Sequence, residues 1–128
     1  MKTLLKTEEL AEALVALVVF ARLPYAWWVL PATFLLPDLS MAGYLAGPRV
    51  GAFCYNLAHH KALAVAVGLA GWWLAQPGLQ LAGTVLLFHS AVDRVLGYGL
   101  KYATSFHDTH LGRVGAGQLA ATATEGCC

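Results

Sequence analysis

Charge is what this chain has least of. Asp, Glu, Lys and Arg make up 12% of its 128 residues, against about 25% in an average soluble chain. Between residues 62 and 92 there is none of the four. The net charge of +1 gives no basic field and so no argument for nucleic acid as a partner. Cysteine is scarce too. Cys54 lies in an apolar stretch as a small core residue, and Cys127 and Cys128 close a frayed tail, lipidated or metal-binding only as the lesser reading. No spacing among the three suggests a disulfide framework or a zinc knuckle. A cleaved signal is not expected either, because Glu8, Glu9 and Glu12 interrupt the apolar run after Lys2 and Lys6. Nor does the chain offer a Ser-His-Asp or Cys-His arrangement.

What is present is apolar. Hydrophobic residues make up 59% of the chain and the mean hydropathy is +0.62. That places it in the membrane class, as one domain whose first partner is the lipid bilayer. The pattern predicts an all-α, integral membrane four-helix bundle of up-down topology spanning residues 1–104. Its helices cover about 8–22, 26–46, 49–75 and 79–102. Thr7 caps the first, which is short for a full span at about 22 Å. Pro24, Gly47-Pro48 and Gln76-Pro77-Gly78 mark the turns. Residues 105–128 form a cytoplasmic tail. Its segment 105–113 is a candidate lid that folds back, and the Gly/Ala/Thr-rich 114–128 is expected to be disordered.

Orientation follows from two signals. Trp27-Trp28 begin the second helix and Trp72-Trp73 end the third, so one interface collects all four. Lys2, Lys6, Arg49, Lys101 and Arg113 flank the opposite side, where the positive-inside rule places both termini in the cytoplasm. Small residues at Gly68 and Gly71 offer a face for a homo-oligomer.

Five ionisable residues, Asp38, His59, His60, His89 and Asp93, fall inside these apolar segments. Such groups are costly in hydrocarbon and mark functional sites. Measured from the Trp side, Asp38 and His89 lie at roughly 15 Å, and His59, His60 and Asp93 at roughly 20 Å. Three helices thus place Asp or His in one layer. His89 and Asp93, four residues apart, share a helix face, which Gly97 continues one turn further. Asn56 is placed to orient an imidazole from one turn away. Lys61 is awkward at mid-span and snorkels away. Three readings stay open: Asp38, His59 or His60, His89 and Asp93 bind a divalent metal (Zn, Fe or Mn); they pair structurally, as in Asp38–Arg94 or Asp93–Arg49; or they line a proton or ion path. Arg94 beside the carboxylates is suited to clamp an anionic group. Asp108 and His110 are the lid candidates.

The runs carrying these residues resemble a family of small bacterial multipass membrane proteins catalogued as a domain of unknown function. The resemblance covers roughly residues 10–114, through PDLSMxGYL, GPRxGAxxYNxxH, HxxxDRxLGYGLKY and DTHLGR. Matched by motif, the family's polar positions fall on Asp38, Asn56, His59, His89, Asp93, Arg94, Asp108 and His110, which implies His59 rather than His60 as the site histidine. Lys61 and His107 depart from the pattern. A fainter likeness, at the level of fold and pattern, runs to inner-membrane proteins grouped as metal-dependent hydrolases. The resulting expectation is a bacterial inner-membrane protein with metal ligands Asp38, His59, His89 and Asp93. Asp93, Asp38 and Arg94 would carry hydrolysis of a small-molecule or lipid-like substrate. A structural polar layer without enzymatic activity, and an oligomeric transporter or proton relay, are the alternatives.

Overall fold

The computed structural model describes residues 1–104 and 106–113. The tail 114–128, with Cys127 and Cys128, lies outside them. Among the described residues the chain is helical apart from one small hairpin. It runs α1 (Lys2–Ala21), α2 (Val29–Thr33), a 3-10 helix (Leu36–Ala46), α3 (Pro48–Ala58), α4 (Lys61–Trp73) and α5 (Pro77–Leu96). A hairpin of β1 (Asp108–Thr109) and β2 (Gly112–Arg113) follows.

The first helix is not short. It starts at Lys2 and its 20 residues match α5 in length, about 30 Å at 1.5 Å per residue. Thr7 therefore sits inside it, with its hydroxyl donating to the Leu4 carbonyl (2.7 Å). A mostly small face of Ala13, Ala16 and Phe20 is buried, and α1 packs chiefly on α5.

The helix expected over 26–46 is divided. Pro37 has no N–H, so the Phe34 carbonyl gets no donor from three residues on. The Asp38 N–H then bonds Leu35 at 3.1 Å instead of Phe34, and the chain continues as a 3-10 helix. Runs of this geometry are usually short, and longer ones often mark functional sites. Close contact with α3 supports this one. A Cβ on Gly51 would fall 2.2 Å from the Tyr44 ring, and one on Gly43 would meet Cys54 at 3.0 Å.

The helix expected over 49–75 breaks at His59–His60. His60 is extended (φ −84°, ψ 110°) and caps α4 by accepting the Leu63 N–H on its Nδ1 (3.4 Å). The helix expected to reach residue 102 stops at Leu96, because Gly97 takes a left-handed conformation (φ 100°). The Gly97 and Tyr98 N–H groups turn back onto the carbonyls of Arg94 (3.1 Å) and Asp93 (2.8 Å), a glycine C-cap. Gly97 ends the His89/Asp93 face rather than continuing it.

Helices α4 and α5 approach through glycine. A Cβ on Gly83 would lie 2.4 Å from the Gly68 backbone nitrogen, and one on Gly71 would lie 2.5 Å from that of Gln80. The Gly68/Gly71 face, read as an oligomer contact, is spent on α5 of the same chain.

Burial is shared between apolar and polar side chains. Phe20, Leu30 and Val85 make a small apolar core, while the largest fully buried side chains are His89 and Ser90. Outside, Leu45 is 93% exposed, Trp73 88% and Trp27 79%. Val29–Ala46 is the one described segment both long and apolar enough to cross a membrane (mean hydropathy 1.3). Lys61–Trp73 is apolar but shorter. Three full spans and a shorter first helix were expected.

Candidate metal centre

The two breaks and the end of α5 converge. Asp38 comes from the start of the 3-10 helix, His59 from the residue closing α3, and His89 and Asp93 from successive turns of α5. One donor atom from each lies within 4.8 Å of the other three. The two Nε2 atoms are 3.0 Å apart. His59 Nε2 is 3.3 Å from Asp93 Oδ2 and 3.6 Å from Asp38 Oδ1. His89 Nε2 is 3.4 Å and 3.2 Å from the same two oxygens.

The other face of each ring fixes its chemistry. His89 Nδ1 lies 2.7 Å from the Phe34 carbonyl, the group that Pro37 left without a backbone partner. His59 Nδ1 lies 2.9 Å from the Tyr55 carbonyl. A carbonyl only accepts, so both Nδ1 atoms donate, and in the neutral rings both Nε2 atoms carry lone pairs. Two imidazole lone pairs and two carboxylate oxygens then face one point, a donor set that a metal ion, or a proton on one ring, would bring together. A tetrahedral ion with ligand bonds of about 2.0–2.1 Å has ligand–ligand edges of about 3.3–3.4 Å; five of the six separations run from 3.0 to 3.6 Å, and the whole set, the Asp38–Asp93 edge included, lies within 4.8 Å. The histidines are buried (3% and 1% exposed), Asp93 is 17% exposed and Asp38 31%.

Tyr55 supports two of the four residues. It is buried, its ring stacks on His59 (centroids 3.8 Å apart, planes at 14°), and its hydroxyl donates to Asp93 Oδ2 at 3.3 Å. Over its other side sits Lys101, 4% exposed, with Nζ 4.7 Å from the Tyr55 centroid and 3.8 Å from that of Phe106. Nζ also donates to the Phe106 carbonyl at 2.9 Å. Burial lowers the Lys101 pKa, against the pull of the Asp93 and Asp38 carboxylates. Sequence reasoning missed both residues. For Tyr55 a signal existed, since it stands one turn before His59 on the same helix. For Lys101 there was none, because it arrives through the chain reversal at Gly97.

The remaining sequence candidates lie elsewhere. Asn56 orients no imidazole by hydrogen bonding among the described residues. Its amide pairs with the Lys101 backbone, donating to O at 2.7 Å and accepting from N at 2.6 Å. His60 is exposed and serves as the α4 cap. Arg94 Nη2 donates to the His59 carbonyl (3.3 Å), steadying the break between α3 and α4 rather than pairing with Asp38. Residues 106–113 lie against 100–102, with the Tyr102 N–H on the Asp108 carbonyl (2.8 Å) and Lys101 bridged to Thr109. The Asp108 carboxylate accepts from Thr104 (2.8 Å) and His110 Nδ1 accepts the Leu100 N–H (2.8 Å). Neither joins the four-residue group. Lys61 ion-pairs with Glu9 and, at 2.7 Å, with Glu12.

A family model described as "Domain of unknown function (DUF4260)" matches residues 2–114. No curated protein and no solved structure matches the chain. The matched span holds all four clustered residues with Tyr55, Lys101 and the hairpin, and the chain belongs to the DUF4260 family.

Proposed function

We propose that this chain is a membrane-embedded metal protein that holds one divalent transition ion between Asp38, His59, His89 and Asp93 and uses it for hydrolysis. The observation that carries the reading is the convergence of four acceptor atoms whose ring tautomers are set by backbone carbonyls. Mixed nitrogen and oxygen donors suit zinc, iron or manganese. The outward apolar surface, the Trp residues at 58–88% exposure and the apolar Val29–Ala46 segment support the bilayer as its surroundings.

A bound ion supplies Lewis acidity and lowers the pKa of a coordinated water. Catalytic sites of this kind usually keep three protein ligands and an open position. His59, His89 and Asp93 are the three best buried, and Asp38 is the most exposed and the farthest from His59. Asp38 would therefore be the residue to take a proton from the attacking water as general base. The water's oxygen would bond to the substrate's reacting centre, the bond to the leaving group would break, and the proton would pass to the leaving group. Arg94 acts through the His59 backbone rather than on substrate.

Elemental analysis of the detergent-purified protein tests this. About one equivalent of metal is expected in the wild type, with a sharp loss in His89→Ala and a smaller one in Asp38→Ala, in variants whose circular dichroism stays helical. A metal-free wild type, with both variants unfolding, would instead make the cluster a structural network in which the 3.0 Å Nε2 pair shares a proton.

A further inference from the structure

An open cavity of about 410 Å³ lies between the segment containing α2 and the 3-10 helix on one side and α5 on the other. Its walls carry chain neighbours of three of the four clustered residues. Pro37 precedes Asp38, Ala58 precedes His59, and Val85 lies one helical turn below His89. The walls are apolar in effect as well as in name. Their two hydroxyls are already spent on the chain's own carbonyls, Ser40 on Pro37 (2.7 Å) and Thr33 on Val29 (2.7 Å). No charged side chain lines the cavity. An occupant thus meets hydrocarbon along the walls, and the clustered donors Asp38, His59 and His89 stand next to, or one turn from, the wall residues Pro37, Ala58 and Val85. A larger cavity between α1 and α4, about 620 Å³, carries the ion-paired Glu12 and Lys61 and includes none of those three wall residues.

We propose that the cavity bordered by Pro37, Ala58 and Val85 holds the alkyl chain of the substrate, whose polar head then lies at the four-residue cluster. The substrate class is an alkyl-chain amphiphile with its hydrolysable bond in the head group. This rests on the metal reading above and adds to it what the centre acts upon. The size is right for such a chain, since small-molecule sites run from about 300 to 1,000 Å³. Asp38, the chain neighbour of the wall residue Pro37, is the most exposed of the four and so the one most open to a head group.

Alkyl hydroxamates are suitable probes, because one head group ligates the metal while the chain length varies. The metal-loaded protein in a single detergent is titrated with acetohydroxamate and octanohydroxamate. Each added methylene favours burial, so octanohydroxamate is expected to bind at least about tenfold more tightly. Ala82→Trp, at an exposed position on the cavity wall, is expected to abolish that gain with acetohydroxamate affinity and metal content unchanged. The smaller Ala82→Phe should reduce it. Ala66→Trp, in the α1–α4 cavity, is the control for chain partition into detergent and should leave the gain intact. Equal affinity for both probes, a gain that survives Ala82→Trp, or one removed by Ala66→Trp would overturn the chain site while leaving the metal centre standing. A protein that takes up no metal would remove the centre itself and this inference with it.

Discussion

Tyr55 does two jobs that one side chain rarely combines. Its ring plane fixes the tilt of His59 through a near-parallel stack, and its hydroxyl fixes the rotamer of Asp93. Groups that orient metal ligands in this way commonly contribute 10–100-fold to affinity. Tyr55→Phe keeps the stack and removes the hydrogen bond, so metal affinity is expected to fall about tenfold with little change in thermal stability. Competition with a fluorescent chelator measures it. An unchanged affinity would show that the packing of α5 alone holds Asp93. The spacing of Tyr55 and His59 was open to view in the sequence, yet the amide of Asn56 drew the reading instead. That amide is committed to Lys101, 45 residues away, by a reversal at Gly97 that apolar periodicity does not signal.

The elements succeed as a site because they fail as uninterrupted helices. A continuous helix through Pro37 would occupy the Phe34 carbonyl and deprive His89 of its partner. A continuous helix through His59 would leave His60 without its capping position. The four clustered residues were legible from the sequence, since Asp and His in apolar segments are conspicuous and the His89/Asp93 spacing gives their common face. The breaks were not, because a hydropathy pattern averages over the one or two residues that make them. Helix α5 carries two of the four clustered residues, and its close packing on α4 depends on Gly83. All three atoms that a Cβ on Gly83 would meet, at 2.4–2.7 Å, belong to the backbone of Gly68 and Ala64 and have no rotamer in which to retreat. Gly83→Ala is therefore expected to push α5 from α4, cost about 1–3 kcal/mol, and weaken metal binding through His89 and Asp93. Thermal unfolding and metal titration read the two effects. A variant that loses stability but binds as before would place the contact outside the site's mechanical frame.

Among the described residues many large apolar side chains are exposed while His59, His89, Ser90 and Lys101 are buried, so apolar burial contributes less to holding α1 than it would in a soluble bundle. The buried face of α1 is Ala13, Ala16 and Phe20, a small area at about 25 cal/mol per Å². Charge adds to it. Lys61, the first residue of α4, lies between Glu9 and Glu12 of α1, with Lys61 and Glu9 only 18% and 16% exposed. The sequence made Lys61 look misplaced at mid-span; the break after His59 puts it at a helix start facing two carboxylates. Removing the cation leaves the largely buried Glu9 carboxylate unpaired beside the more exposed Glu12, and breaking a buried pair costs more than never having built one. Lys61→Met is expected to destabilise the protein by about 2 kcal/mol, below the 3–5 kcal/mol range for fully buried pairs because this one is partly exposed. The triple variant Lys61→Met, Glu9→Gln, Glu12→Gln should recover most of that loss, since no buried charge is then unpaired. Unfolding in detergent compares the two. Recovery would identify the ion pairs as the fastening of α1 to α4, whereas equal loss in both variants would mean that the Lys61 stem, through its packing, holds the first helix in place.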